Sequence, residues 1–423
     1  MHALLVSLGT DGDIYPYLGL GEVLRQRGHR VTLVANEPFA QRAADRGLEF
    51  HTLVTSAELD LLYANPDFWH PLRSGPLMAQ WGTRQLRQQF ELLHGLIDDD
   101  TLLVANPGAL AGRLLHETRG TPLVSLVLQP GVIPSSVAPP VMPGGLTLPR
   151  WAPQPVGWLY WRGLDVVGNW LVGRELNQFR ADLGLPPVRR FFQWWNSPQK
   201  IIGMFPAWYG PPQADWPPQL ETTAFPRPGL GELPCAVQAF CAAGEPPIAF
   251  TFGTGMKHAR AKFAAAVEAC QALGRRGILL TNYSEQLLPS LPASVIHVPF
   301  APFAALFPRC AAVVHHGGVG TTAAALAAGV PQIALPFAFD QEDNGARITR
   351  LGVGEFIKPR RLSATSLAES LRRVLAHEVV SRCREAAALC SEDGLELAAD
   401  IVQRISSKQA GGESDDLQPP RVQ

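Results

Sequence analysis

The chain has no surplus of either charge: 36 Lys and Arg stand against 37 Asp and Glu, a formal net charge of -1. A nucleic-acid groove needs a basic excess, and neither a basic stripe nor an RNA-module motif is present, so no nucleic-acid partner is expected. Cysteine is sparse, and the first 234 residues contain none. Cys235, Cys241, Cys270, Cys310, Cys383 and Cys390 form no CxxC pair, which excludes a disulfide framework and a zinc site and suits a reduced compartment. No charge-free run of 18 apolar residues occurs, so no membrane span is expected. The opening MHALLVSLG lacks the basic segment and long apolar core of a signal peptide. The second half lacks tryptophan, since all ten lie at or before Trp216. Two readings of that asymmetry stay open: a Trp-heavy core in the first half, or a wide apolar pocket there for a hydrophobic ligand.

What is present is core material. With 423 residues, 46% apolar and 17% charged, the chain suits two globular domains. Residues 3–7 form an apolar strand, residues 13–26 a helix with Leu18, Leu20, Val23 and Leu24 at helical spacing, and residues 30–34 a second strand. Strands follow at 101–105 and 122–126 with a helix between. Residues 130–155 read as a Pro- and Gly-rich loop, and 156–179 as one or two Trp-rich helices. The Pro-rich stretch 205–234 reads as a hinge. Beyond it come strands at 247–252, 277–281, 295–298, 311–315 and 332–336, and mostly helix from 364 to 405. This alternation implies α/β architecture with parallel sheets covered on both faces.

Residues 313–322, VVHHGGVGTT, carry the chemistry. A βα turn in a parallel sheet sits at the carboxyl end of the strand, where ligands bind. Gly317, Gly318 and Gly320 let backbone approach a ligand closely. Thr321 and Thr322 begin a helix whose free N–H groups attract an anion, and His315 or His316 can add a hydrogen bond to a phosphate oxygen. Alone, such a turn also serves as a plain strand-to-helix connection. Asp340 and Gln341, at the end of the next strand, add a carboxylate and an amide suited to vicinal sugar hydroxyls. Asp340 could equally cap the following helix, with Asp343 in its first turn.

The stretch HHGGVGTTAAALAAGVPQIALPFAFDQEDNGARITRLGVG resembles the donor-site signature of family 1 glycosyltransferases. That resemblance implies an inverting, nucleotide-sugar-dependent enzyme of GT-B fold, with two Rossmann-like domains facing a cleft. It implies that His316 contacts the diphosphate, that Gly320 and Thr321 hold phosphate, and that Asp340 and Gln341 contact sugar hydroxyls. Phe300-Ala301 matches the base-stacking position, and Gly253-Thr254 the strand end near the nucleotide. Many plant members carry a ribose-binding glutamate where this chain has Ala324, which leaves room for a thymidine nucleotide. The first turn, Gly9 to Pro16 (GTDGDIYP), is similar to bacterial members in which its aspartate is the base. This implies Asp13 as the group that deprotonates the acceptor; the competing reading is a helix cap. Asp11 and Asp13 form an Asp-x-Asp pair, but the resemblance implies no metal and no cofactor beyond a dTDP- or UDP-linked co-substrate.

Residues 193–225 are similar to the rhamnosyltransferases of rhamnolipid synthesis, and more loosely to sterol glucosyltransferase-like members. The former have Pro where this chain has His316. The resemblance therefore implies dTDP-L-rhamnose and a hydroxy-fatty-acid acceptor, with UDP-glucose and a sterol or polyphenol as the rival. A sugar-nucleotide epimerase or a silent nucleotide-binding partner subunit is the alternative of another class. The expected plan is an acceptor domain at 1–220, a linker at 221–234, a donor domain at 235–405 and a disordered tail at 406–423. Trp158, Trp161 and Trp194 are the expected acceptor contacts. The setting expected is cytoplasmic, with peripheral contact at the inner membrane face.

Overall fold

A computed structural model describes residues 1–149, 151–227 and 231–410. Two parallel sheets organise them. The first contains β1 (His2–Val6), β2 (Arg30–Asn36), β3 (Glu49–Val54), β4 (Thr101–Ala105), β5 (Leu123–Val127), β6 (Lys200–Gly203) and β7 (Leu220–Thr222), in the order β3-β2-β1-β4-β5-β6-β7. The second contains β8 (Ile248–Thr251), β9 (Gly277–Leu280), β10 (Val295–Val298), β11 (Ala312–His315), β12 (Gln332–Ala334) and β13 (Gly354–Phe356), in the order β10-β9-β8-β11-β12-β13. Every pairing is parallel. The central strands β1, β4, β5, β8 and β11 are buried along their whole length. Short continuous apolar runs with helices on both faces produce that pattern.

Strand order reverses between β1 and β4 in the first sheet and between β8 and β11 in the second. Each reversal opens a crevice at the strands' carboxyl ends, where α/β sheets bind ligands. The expected α/β class with two Rossmann-like sheets is what the chain adopts.

Several elements differ from expectation. β3, β6, β7 and β13 are not marked by apolar runs, being edge or near-edge strands of three to six residues. β7 lies inside the stretch read as a hinge and pairs with β6 through Ile201 and Leu220, so the expected linker at 221–234 begins within a strand. Residues 156–179, read as one or two helices, do form a helix, Gln154–Asp182.

The last helix, Gly394–Ala410, returns to the first lobe. Leu395, Ala398, Ile401, Val402 and Ile405 share a core with Ile14, Leu18, Leu20 and Leu24. Arg27 pairs with Glu396 and Asp400 across that contact. A side chain on Gly394 would meet the Ala224 carbonyl oxygen at 2.1 Å, so only glycine lets this helix start where it does. The helix runs five residues into the stretch expected to be disordered, and residues 411–423 of that stretch lie outside the described residues.

Candidate active site

The first lobe contributes the turn after β1. Gly9 has φ +135°, and a Cβ there would sit 2.2 Å from Asp13 Oδ2, so glycine lets the chain fold over that carboxylate. The Thr10 backbone N–H donates to Asp13 Oδ2 at 2.8 Å, and the Thr10 hydroxyl donates to it at 3.2 Å. Asp13 thus does hold the start of the helix Asp11–Gln26, the capping role that its position offered. Burial raises its pKa to about 6; the Thr10 bonds oppose the rise and the Asp11 charge adds to it. Asp11 reaches the other lobe, where it hydrogen-bonds Thr254, and burial raises its own pKa.

The second lobe contributes the ends of β8, β11 and β12. After β8, Gly253 adopts φ +97° and leads to Thr254. After β11 the two histidines divide their work. His315 is fully buried, bonds Gln332 Oε1 through Nε2 at 3.0 Å, and accepts the Gly317 N–H on Nδ1 at 3.1 Å. It shapes the turn from inside. His316 stands beside Gly253 and Gly318, and a Cβ on Gly318 would lie 2.4 Å from its Nε2. Its Nδ1 is buried without a close hydrogen-bond partner, although the Thr251 backbone interacts with the ring and opposes the fall in its pKa. Burial lowers its pKa to about 4, so the ring is neutral near pH 7.

Gly317, at φ +91°, packs against the backbone of Gln341. Gly318 is the cap of the helix Val319–Ala327, in which Thr321 is buried and Gly320 exposed. A Cβ on Gly320 would lie 3.8 Å from Gly12 Cα. The two lobes' helix starts therefore face each other closely.

After β12 the chain forms a tight loop. Phe339 takes φ 59°, a conformation that costs a bulky residue energy and marks a strained segment just before Asp340. The side chain of Phe339 meets Phe68 of the first lobe, ring centroids 5.3 Å apart. Gln341 Oε1 accepts the Phe337 and Ala338 N–H groups at 2.7 and 3.2 Å, closing the loop. Asp340 occupies the cap position of the helix Gln341–Leu351 but makes no side-chain capping bond; its Oδ2 accepts instead from Asn344 Nδ2 at 2.6 Å. Burial raises the Asp340 pKa to about 7, and the charge of Asp13 raises it further across the cleft.

Asn344 is a site residue that sequence reasoning did not single out. It is fully buried, and besides Asp340 it bonds the Gly317 carbonyl through Nδ2 at 2.9 Å and receives the Tyr209 hydroxyl on Oδ1 at 2.7 Å. Nearby, Asp343 Oδ1 accepts the Val141 N–H at 2.9 Å, and Arg347 donates to the Tyr209 carbonyl at 3.0 Å. Two loops that follow the carboxyl ends of β5 and β6 are so fastened to the helix that follows the Asp340 loop. The only sequence signal was the polar run after Asp340.

Phe300 follows β10, is 42% exposed and offers a ring face, while Ala301 is buried beneath it. Trp161 is partly buried near the cleft, its Nε1 donating to the Ser135 carbonyl at 2.8 Å, and Trp158 is half-exposed one turn before it. Trp194 does not join them. Its Nε1 donates to Glu117 at 2.8 Å and it lies against Arg113 and Arg180. Glu117 ends a helix that runs back to the amino end of β5, on the side away from the cleft, so Trp194 packs structurally where an acceptor contact was expected.

Comparison with known proteins places this geometry among others. Residues 3–133 match the glycosyltransferase family 28 N-terminal domain, and residues 276–403 match the erythromycin biosynthesis protein CIII-like C-terminal domain. The O-mycaminosyltylonolide 6-deoxyallosyltransferase of Streptomyces fradiae is 30% identical over 95% of this chain and 97% of its own. A sterol 3-beta-glucosyltransferase of Arabidopsis thaliana is 30% identical over 95% of this chain and 67% of its own. The dTDP-epi-vancosaminyltransferase of Amycolatopsis orientalis is 27% identical over 90% and 92%. Among solved structures, a calicheamicin glycosyltransferase superposes with TM-score 0.70 at 20% identity, covering 97% of this chain and 99% of its own.

Proposed function

The chain belongs to the glycosyltransferases, with the two-lobed GT-B fold, and on that premise we propose that it is an inverting hexosyltransferase moving L-rhamnose from dTDP-L-rhamnose to a hydroxyl of a hydrophobic acceptor such as a hydroxy-fatty acid. The observation that carries the reading is the meeting of Asp13 from one lobe with Asp340 and the Gly317–Gly320 turn from the other. On this reading a base, a sugar-binding carboxylate and a phosphate cradle converge there.

In this reading the nucleoside diphosphate lies on the start of the helix Val319–Ala327, with its base over Phe300. Asp340 and the Gln341 amide hold the sugar hydroxyls. The acceptor oxygen attacks the anomeric carbon while Asp13 takes its proton. The carbon–oxygen bond to the diphosphate breaks, and His316 and the helix N–H groups stabilise the charge on the leaving group. A base near pKa 6 suits the task, being ionised at pH 7 yet more basic than an ordinary aspartate. The thymidine preference is supported by Ala324 at the ribose-binding position and by a dTDP-sugar transferase among the relatives.

A second reading is favoured by the sterol 3-beta-glucosyltransferase relative: UDP-glucose as donor and a sterol-like aglycone as acceptor. Purified protein incubated with each donor against hydroxy-fatty acids and sterols, with products weighed by mass spectrometry, separates them. A rhamnosylated lipid supports the first reading. Turnover with UDP-glucose alone sinks it.

A further inference from the structure

The first half of the helix Gln154–Asp182 is apolar on its outward as well as its inward side, where Trp161 and Gly168 pack against Phe192. Its inward face carries a buried carboxylate, Asp165, which takes the Phe192 N–H at 3.1 Å and the Arg190 guanidinium at 3.4 Å. Its outward face carries Val156, Leu159, Val166 and Trp170, spaced by three, seven and four residues, with Leu159 65%, Val166 69% and Trp170 79% exposed. An ordinary amphipathic helix on a core presents polar residues outward. The stripe spans about 21 Å at 1.5 Å per residue. Just before the helix, Trp151 is 84% exposed. From residue 151 to 173 the only exposed charge among the described residues is Arg162, its guanidinium 4.5 Å from the Trp158 ring. No exposed carboxylate interrupts the stripe.

The stripe is anchored to the cleft rim. Trp161 and Tyr160 bond the Ser135 and Leu146 carbonyls. The same loop sends its Val141 and Gly144 N–H groups to Asp343 and Glu342, beside the sugar-facing loop. Asp215 fixes the loop through the Ser135 and Ser136 hydroxyls at 2.8 and 2.7 Å.

We propose that this stripe is a docking surface for a lipid bilayer bearing anionic headgroups, on which the first lobe lies while the cleft draws its acceptor from the membrane. Tryptophan rings favour the boundary between hydrocarbon and water. A lone cation among apolar side chains matches anionic headgroups, and a straight apolar ridge needs no complementary pocket in its partner. The delivery of the acceptor rests on the hydrophobic-acceptor reading above; the docking does not.

The test is co-sedimentation of the full chain with phosphatidylcholine vesicles, with and without phosphatidylglycerol, alongside the triple variant Leu159→Gln, Val166→Gln, Trp170→Gln. These residues face outward, so dTDP and UDP binding and thermal midpoint serve as controls for folding. The wild type should pellet with the anionic vesicles, quenched by bromine-labelled lipid tails, and the variant should partition at least about tenfold more weakly. Wild-type protein left in the supernatant, or a variant that pellets equally, overturns the proposal. So does concentration-dependent dimerisation that the variant abolishes in the absence of vesicle binding, which would give the stripe to a second copy. Because donor binding is read separately, failure to bind lipid leaves the transferase reading intact.

Discussion

The hydroxyl of Tyr209 donates to Oδ1 of Asn344 at 2.7 Å, tying the loop between β6 and β7 to the amide that orients Asp340 and the Gly317 carbonyl. Asn344→Asp replaces the shared Nδ2 donor with a carboxylate facing Asp340. It should raise the donor KM at least tenfold or so, since hydrogen bonds to charged groups contribute about 1.5–3 kcal/mol. Tyr209→Phe should cost less, about two- to tenfold, as a neutral bond does. Steady-state kinetics with varied donor measures both. A lower thermal midpoint with unchanged KM would make Asn344 merely structural.

Asp13→Asn keeps the side chain's size and removes the base. Transfer should fall by about 10²- to 10⁴-fold, while calorimetry finds nucleoside diphosphate binding little changed. The wild-type rate should decline on acidification through about pH 6, because the base must be ionised and burial lifts its pKa there. Wild-type-like turnover by the variant would remove Asp13 from the mechanism.

Gly318 and His316 should behave as one unit. A methyl on Gly318 would lie 2.4 Å from His316 Nε2, so Gly318→Ala must displace the ring. Both Gly318→Ala and His316→Ala should lower kcat by about 10²-fold, the usual effect of losing one donor to a developing charge. The double variant should be scarcely worse than either single one. Additive losses in that cycle would show that the glycine serves the backbone alone. Since His316 is neutral down to about pH 4, it should add no limb to the rate profile near neutrality.

Asp340 and Asp13 invert the usual dependence of stability on pH. Ordinary aspartates titrate near 3.8, whereas these are raised to about 7 and about 6. Between those values the folded chain binds more protons than the unfolded one, so stability from these groups falls as pH rises from about 4 to 7. Asp340→Asn should flatten that fall and melt higher than wild type at pH 8, though with poorer donor binding. A wild-type thermal midpoint at pH 8 would show that the carboxylate carries little desolvation strain.

How much of this the sequence revealed depended on distance along the chain. His316, Gly317, Gly318, Asp340 and Gln341 lie within 26 consecutive residues, and local strand–turn–helix chemistry exposes them. Asp13 was singled out for the same reason, and its bonds to Thr10 show the capping reading of it, which leaves the proposed base role to experiment. Tyr209 lies 135 residues from Asn344, and no periodicity joins them. Trp194 misled because a tryptophan between helix and strand gives no sign of which end of the sheet it faces. The strands β3 and β13, EFHTLV and GEF, carry mixed residues because edge positions are only half covered.

The return of the last helix has a consequence for synthesis. Ile14, Leu18, Leu20 and Leu24 are covered by Leu395 through Ile405. During translation that apolar face must wait for residue 405 to leave the ribosome, roughly 20 to 80 s at ~5–20 residues per second. The core around β8, β9 and β11, whose last member is Val374, can close sooner. That core of the later lobe is thus able to close first, and a nascent chain paused between the two events exposes the apolar face of the first helix.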